Sequence, residues 1–291
     1  MIVKAMNMQI KSNSHSSAKR HAILMRRYIR YLLVLCMFGS TPIILWLGIA
    51  VGNRIAVRNI TVPIGVGASI RIATLSDIHI RRADSSINHA RRAIQMVRAS
   101  APDVVCLLGD YVTGCAGIAH LESVLVTLRA PLGVYAVLGN HDHWADAEGV
   151  AKALRRAGIQ VLNNANIAIA KDNVQFYLVG IDDLWSGKPD WDAAFANVPA
   201  DAVIILLSHN PDAILTEYAK RARLVLSGHT HAGQVAFIGA WFIPASRYGR
   251  KHPHGLYREG ETFIYITSGV TTGASSPRWF TRPEVAIVEV K

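Results

Sequence analysis

Five times in this chain a short apolar run stops abruptly at a cluster of Asp, His or Asn, and that punctuation restricts the fold more than any other feature. Runs such as Val104-Val105-Cys106-Leu107-Leu108 and Ile204-Ile205-Leu206-Leu207 have no polar alternation. They therefore read as strands of sheets covered on both faces. A polar cluster directly after such a strand cannot remain in the core. It belongs at the carboxyl edge of the sheet, where the loops of an open α/β fold converge. The clusters are Asp77-Ile78-His79, Gly109-Asp110, Gly139-Asn140-His141-Asp142, Ser208-His209-Asn210 and Gly228-His229-Thr230-His231.

The rest of the pattern agrees with an α/β chain. Strands are expected at 71–76, 103–108, 134–138, 175–181, 202–208, 223–227, 262–267 and 285–290. Amphipathic helices are expected at 86–99, 120–128, 145–157 and 211–219. At 291 residues and 51% hydrophobic, the chain suffices for one large core beside a membrane segment, with no internal repeat or second full domain.

Charge divides the chain in two. Residues 1–76 hold no Asp or Glu and ten basic side chains, so of the net +11 only about +1 remains from Asp77 onward. A nearly neutral domain lacks the basic footprint of a nucleic-acid binder, and no nucleic-acid partner is expected. Residues 31–52 are 22 consecutive uncharged positions, enough to cross a bilayer as one helix, with Pro42 near its middle. Lys19, Arg20, Arg26, Arg27 and Arg30 precede it, and only Arg54 and Arg58 closely follow it. This bias keeps residues 1–30 in the cytoplasm and sends the domain outside. A cleaved signal is the competing reading, from Gly48-Ile49-Ala50 and the pair Arg26-Arg27, and a buried core helix is a third. The length of the apolar run favours the retained anchor. The expected organisation is a basic arm at 1–30, a transmembrane helix at 31–52, a linker at 53–69 and a catalytic domain at 70–291. Cys36, Cys106 and Cys115 form no CxxC motif and no disulfide framework.

The five clusters contain what a paired-cation site requires. Carboxylates neutralise charge, imidazoles suit borderline metals, and one carboxylate must bridge the pair. Asp77 and His79, like His229 and His231, are one residue apart, so each pair reaches one pocket from a strand end. Isolated polar loop residues would be the plainer reading of any one cluster, but not of five in register with five strands.

In this order the clusters resemble the motifs of the calcineurin-like metallophosphoesterase superfamily, over about 155 residues. The resemblance implies a four-layer αββα sandwich, here preceded by one transmembrane helix, with the site at the strand ends. It implies one divalent ion held by Asp77, His79 and His231, a second by Asn140, His209 and His229, and Asp110 bridging them. Mn is the expected metal, with Fe and Zn as alternatives. His141 is the expected catalytic residue, stabilising the transition state or protonating the leaving group, with Asp142 fixing its tautomer. Thr113 departs from the acidic residue or Asn that many relatives carry three positions after the bridging Asp, which affects the hydrogen bonds behind the metals.

Three further stretches carry weaker signals. Asp182-Asp183 ends a strand and is either a support of the site or a solvated turn. The basic segment 247–255 is either a grip for a phosphate head group or a solvated loop. Residues 276–284 are similar to the terminal signature of bacterial membrane-bound or exported phosphodiesterases, although Arg282 and Glu284 also serve a plainer reading as braces of the last strand. That branch in turn resembles enzymes that hydrolyse UDP-2,3-diacylglucosamine in lipid A biosynthesis. The implied substrate is a phosphorylated lipid-linked or small molecule, and the implied location is the bacterial inner membrane with the domain on its outer side. A nucleotide-sugar substrate would instead belong on the cytoplasmic side. The alternatives are a nucleic-acid or nucleotide phosphodiesterase on the same fold, and a non-catalytic metal-binding protein.

Overall fold

Strand alternation sorts the side chains into layers. In the strand Ile70–Leu75, Ile70 and Ile72 turn to one side while Ala73 and Leu75 turn to the other, and in Val104–Leu108 the same split separates Val104, Cys106 and Leu108 from Val105 and Leu107. The computed structural model describes residues 25–32, 36, 39, 40, 46, 48, 50, 54–82, 84–233, 236, 237, 240, 241, 246–271, 278 and 281–291. Ile49–Lys291 forms one compact unit and Met1–Gly48 another.

The strands in chain order are β1 (Ala56–Val62), β2 (Ile70–Leu75), β3 (Val104–Leu108), β4 (Val134–Val137), β5 (Gln160–Val161), β6 (Ala165–Lys171), β7 (Val174–Gly180), β8 (Ile204–Leu207), β9 (Leu224–Ser227), β10 (Ala236–Phe237), β11 (Ala240–Trp241), β12 (Gly255–Glu259), β13 (Thr262–Ile266) and β14 (Glu284–Val290). Two six-stranded sheets result, ordered β1-β14-β2-β3-β4-β5 and β12-β13-β9-β8-β7-β6. Pairing is parallel except for β14 with β2, β6 with β7, and β12 with β13. Between the sheets lie Ile72, Cys106, Leu108 and Val137 from the first, and Phe176, Leu178, Ile205, Leu207 and Leu226 from the second. The outer face of the first sheet is covered by helices α1 (Asp84–Ala99), α2 (Ile118–Leu125) and α3 (Asn140–Arg156), through Ile94, Val97, Leu121, Leu125, Val150 and Leu154. A thinner layer covers the second sheet. It comprises α4 (Trp191–Ala194) and two 3-10 turns, which set Phe195, Ile214 and Ala219 against Ile204, Leu206 and Val225.

All eight expected strands are present within a residue or two at most. The expected helix at 211–219 is instead the two 3-10 turns Pro211–Leu215 and Tyr218–Arg221. Asn210 caps the first through the Asp212 N–H at 2.9 Å, and Thr216 at φ −89°, ψ 155° stops its propagation. Within α3, Asp146 is non-helical at φ −176°, ψ 94°, and its carboxylate accepts the Gly149 N–H at 3.0 Å. The regular helix therefore starts close to the expected residue 145, capped by Asp146. Residues 56–62, expected within the linker, form β1 and pair in parallel with β14 from Ala56↔Glu284 to Val62↔Val290. The expected transmembrane segment 31–52 lies mostly outside the described residues, and among the described residues no helix is long and apolar enough to cross a membrane.

Phe176 is fully buried between the sheets. Phe176→Ala should cost about 3–5 kcal/mol through the cavity it leaves. In urea denaturation this appears as a lower midpoint with an unchanged slope.

Candidate metal centre

Each donor stands just beyond a strand: Asp77 and His79 after β2, Asp110 after β3, Asn140 and His141 after β4, His209 after β8, His229 and His231 after β9. The loops after β2 and β3 continue as a pair, with the N–H of Asp77 on Gly109 O and the N–H of His79 on Asp110 O, both at 3.0 Å. Five of these donors have a left-handed backbone: Asp77 at φ 54°, His79 at 49°, Asp110 at 57°, His229 at 71° and His231 at 51°. For non-glycine residues this conformation costs on the order of 1 kcal/mol or more each. The turn it forces swings successive side chains of Asp77-x-His79 and His229-x-His231 into one pocket.

The pocket holds two overlapping groups. Asp77, His79, Asp110 and His231 converge in one, and Asp110, His209 and His229 in the other. Asp110 Oδ2 lies 3.5 Å from His79 Nε2 and 3.3 Å from His209 Nε2, so this carboxylate sits between them. His231 Nε2 is 3.3 Å from Asp77 Oδ1 and 3.3 Å from His79 Nε2, and His229 Nδ1 is 3.1 Å from His209 Nε2. Six of the seven sequence-predicted donors thus gather at one edge, and Asn140 is buried at the start of α3, next to His141 whose N–H meets Asp110. Among the described residues, the buried oxygens Asp77 Oδ1 and Asn140 Oδ1 have no hydrogen-bond partner. Such acceptors are costly unless a cation meets them, so the donor set fits divalent metal.

Electrostatics point the same way. Burial drops the His79 imidazole to about 3, which keeps it in its neutral, ligating form. His231 is likewise lowered, by burial first and then by the nearby Arg278. Burial also works against charge on His209, yet Asp110 more than offsets it and lifts the ring to about 10. Burial would raise Asp110, but the charge and hydrogen bond of His209, with His79 and His141 beside it, together hold it well below the usual carboxylate range. A metal ion supplies the positive charge that Asp110 otherwise draws from a proton. His209 Nδ1 meets Leu108 O at 2.7 Å, so this nitrogen donates, and Nε2, the nitrogen that faces Asp110, is the one that would give up its proton to take a metal.

The structure places the supporting residues differently from the sequence reading in several cases. Asp142 does not orient His141. Its two buried oxygens accept backbone N–H groups from Asp110 at 2.8 Å, Gly139 at 3.0 Å, Tyr111 at 2.9 Å and Val112 at 3.3 Å, which leaves no lone pair aimed at the imidazole. His141 is placed instead by its own N–H on Asp110 Oδ1 at 2.9 Å, and its ring packs edge-on to His79 with centroids 4.7 Å apart. Thr113 Oγ1 stands 3.4 Å from His79 Nδ1, so the departing residue still supports that ring. Asp182 and Asp183 are buried, not solvated. Asp182 Oδ1 pairs with His143 Nε2 at 2.7 Å, and Asp183 Oδ2 caps the N–H groups of Trp185 and Ser186. The basic segment contributes Arg247 and Lys251 to a separate cavity of about 730 Å³ that also borders Leu215 and Tyr248.

Sequence spacing does not mark Trp144, Trp185 or His143, and gives Arg278 no role beyond its place in the stretch 276–284, yet the structure brings all four to the site or its margin. Arg278 is buried with its Nη2 on Ser268 O at 2.5 Å, burial lowers its pKa to about 10, and Asp77 and Glu284 support its charge. Glu284 braces the start of β14, in line with the plainer of the two readings of this stretch, accepting from Tyr265 Oη at 2.5 Å and from Arg58 Nε at 3.1 Å.

Residues 70–233 match the family model described as calcineurin-like phosphoesterase. The chain is 35% identical over 232 residues to the phosphodiesterase YaeI of Escherichia coli (strain K12), covering 77% of this chain and 83% of that one. It is 30% identical over 228 residues to the metallophosphoesterase YkuE of Bacillus subtilis (strain 168), covering 76% and 79%. A transmembrane protein with metallophosphoesterase domain from Danio rerio is 32% identical over 245 residues, covering 76% of this chain and 53% of that one.

A Cβ at Gly139 would stand 2.6 Å from the Asp110 backbone nitrogen and overlap its carboxylate. Gly139→Ala should therefore displace the shared carboxylate, lowering the divalent metal retained per chain in elemental analysis while far-UV circular dichroism stays near wild type.

Proposed function

The chain belongs to the calcineurin-like phosphoesterase family and is a hydrolase of phosphoric esters, and on that premise we propose that it works as a two-metal phosphodiesterase. Asp77, His79, Asp110 and His231 hold one divalent ion in this reading, and Asp110, Asn140, His209 and His229 hold the other. The observation that carries it is the pair of donor groups sharing Asp110, with buried oxygens on Asp77 and Asn140 that have no hydrogen-bond partner among the described residues. When bound, two such ions neutralise the ester oxygens and activate a water for in-line attack. Mn is the proposed occupant, and Fe or Zn would suit the same donors.

The protein's own groups do the rest. Asp110 holds both halves of the pocket in register and anchors the His141 N–H at 2.9 Å. His141 stands beside His79 at the half-exposed side of the cluster, where its ring can hand a proton to the departing alkoxide. A phosphodiester is the favoured bond, in line with the name of the Escherichia coli relative. We place the substrate in the cell envelope, lipid-linked or small, on the strength of the apolar run 31–52 and its basic flank, which favour a single-pass inner-membrane anchor with the domain outside. The name of the Danio rerio relative is consistent with such an anchor. UDP-2,3-diacylglucosamine is the specific compound to assay first, with release of UMP as its signature.

Purified protein should hydrolyse bis(p-nitrophenyl) phosphate, lose the activity on chelation and regain it with Mn²⁺. Asp110→Asn should abolish turnover and metal retention together. His141→Ala should lower kcat by about 10²–10⁴ with metal content intact. Metal binding without any turnover would favour the non-catalytic reading instead.

A further inference from the structure

Two large aromatic side chains stand exposed at the mouth of the metal centre, where the proposed hydrolysis gives them no task. Trp144 is 61% exposed and Trp185 55% exposed. Neither belongs to a separate surface patch, since each packs on an imidazole of the site. Trp144 lies against His141 with ring centroids 4.6 Å apart, and His141 lies 4.7 Å from His79. Trp185 meets His229 edge-to-face at 4.6 Å, and His229 lies 4.8 Å from His209. One indole therefore flanks the group formed around Asp77, and the other flanks the group formed with His209.

The segments that carry them are fixed rather than free. The carboxylate of Asp183 caps the Trp185 and Ser186 N–H groups at 2.9 and 2.7 Å. Asp182 Oδ2 accepts the Lys188 N–H at 2.8 Å, and Asp182 Oδ1 reaches across to His143 Nε2 at 2.7 Å. His143 immediately precedes Trp144, so one ion pair braces the first turn of α3 against the loop that carries Trp185. Their rings keep exposed faces beside the residues proposed to hold the cations, without being part of the core.

From this arrangement we infer that Trp144 and Trp185 form an aromatic rim that receives a planar ring of the substrate, making esters with an aryl group or a nucleobase close to the phosphate the favoured class. The inference rests on the phosphoesterase reading of the same site and names the substrate class that reading leaves open. Any planar π-face can stack on an indole, and such stacking is sequence-tolerant and adds affinity without a hydrogen bond. An acyl chain is the less fitting occupant. Among the described residues, the groups stacked on or hydrogen-bonded beside the rim are those of His141, His143, Asp182, Asp183 and the Lys188 backbone, all of them polar.

The test measures binding apart from turnover. Calorimetry on the Mn²⁺-loaded full chain compares phenyl phosphate and UMP with methyl phosphate, which has the same phosphate but no ring. The ring-bearing ligands should bind between about fivefold and about a hundredfold tighter and should quench indole emission. In the Trp144→Ala/Trp185→Ala double variant the ratio should collapse toward unity, and the corresponding double Phe variant should recover most of it. Equal affinities in the unaltered chain, or a preference that survives loss of both indoles, would overturn the inference. So would an emission shift with phosphatidylglycerol vesicles but none with ring phosphates, which would make the rim a membrane contact. Ring-selective binding without hydrolysis would count against the phosphodiesterase reading alone. Hydrolysis with ring-blind binding would count against the rim alone.

Discussion

The metal-binding edge depends on one buried carboxylate that binds no metal in the proposed site. Asp142 gathers the backbone N–H groups of Asp110, Tyr111, Val112 and Gly139, and so ties the loop after β3 to the loop after β4. Without such an acceptor these turns would bury unpaired donors, each costing about 1–3 kcal/mol. With it, Asp110 can adopt the left-handed backbone that points its side chain between the two histidine groups. Fixing the peptide groups first lets the strained geometry persist before any ligand arrives.

A second consequence concerns charge. Carboxylates and imidazoles packed this closely interact with each other when nothing else neutralises them, and the Asp110–His209 pair takes up that arrangement. A divalent ion held by these donors would take the place of that proton, in a pocket whose backbone is already set. The neighbouring Arg278 limits how negative the edge becomes, as a buried guanidinium whose charge is felt by Asp77 and His231. Donor count and buried positive charge together set the affinity of the pocket.

How much of the fold and site is legible in the sequence follows from which residues act through pattern and which through placement. β3 and β8 are readable because an unbroken apolar run that stops at Asp or His fits almost nowhere except the end of a buried strand, and the same holds for the seven donors. β1 is not readable. Val57-Arg58-Asn59 faces outward on an edge strand, and its pairing is supplied by β14, more than two hundred residues away. The 3-10 turns at Pro211–Leu215 and Tyr218–Arg221 carry an apolar period like that of a helix, and only the extended backbone of Thr216 separates the two outcomes. The role of Asp142 is hidden because hydrogen bonds to backbone leave no trace in side-chain spacing. Adjacency alone makes His141 look like its natural partner.

The position of β14 has a consequence for how the molecule comes into being. The first sheet runs β1-β14-β2, so a strand made more than two hundred residues later slots between β1 and β2, pairing in parallel with one and antiparallel with the other. Until it emerges from the ribosome, β1 has no neighbour and the open flank of β2 is a bare edge beside the loop that carries Asp77 and His79. Closure of this sheet is thus a late, long-range event in the life of the nascent chain. The loops that present the metal donors acquire their final backing only after residues 284–290 have been made.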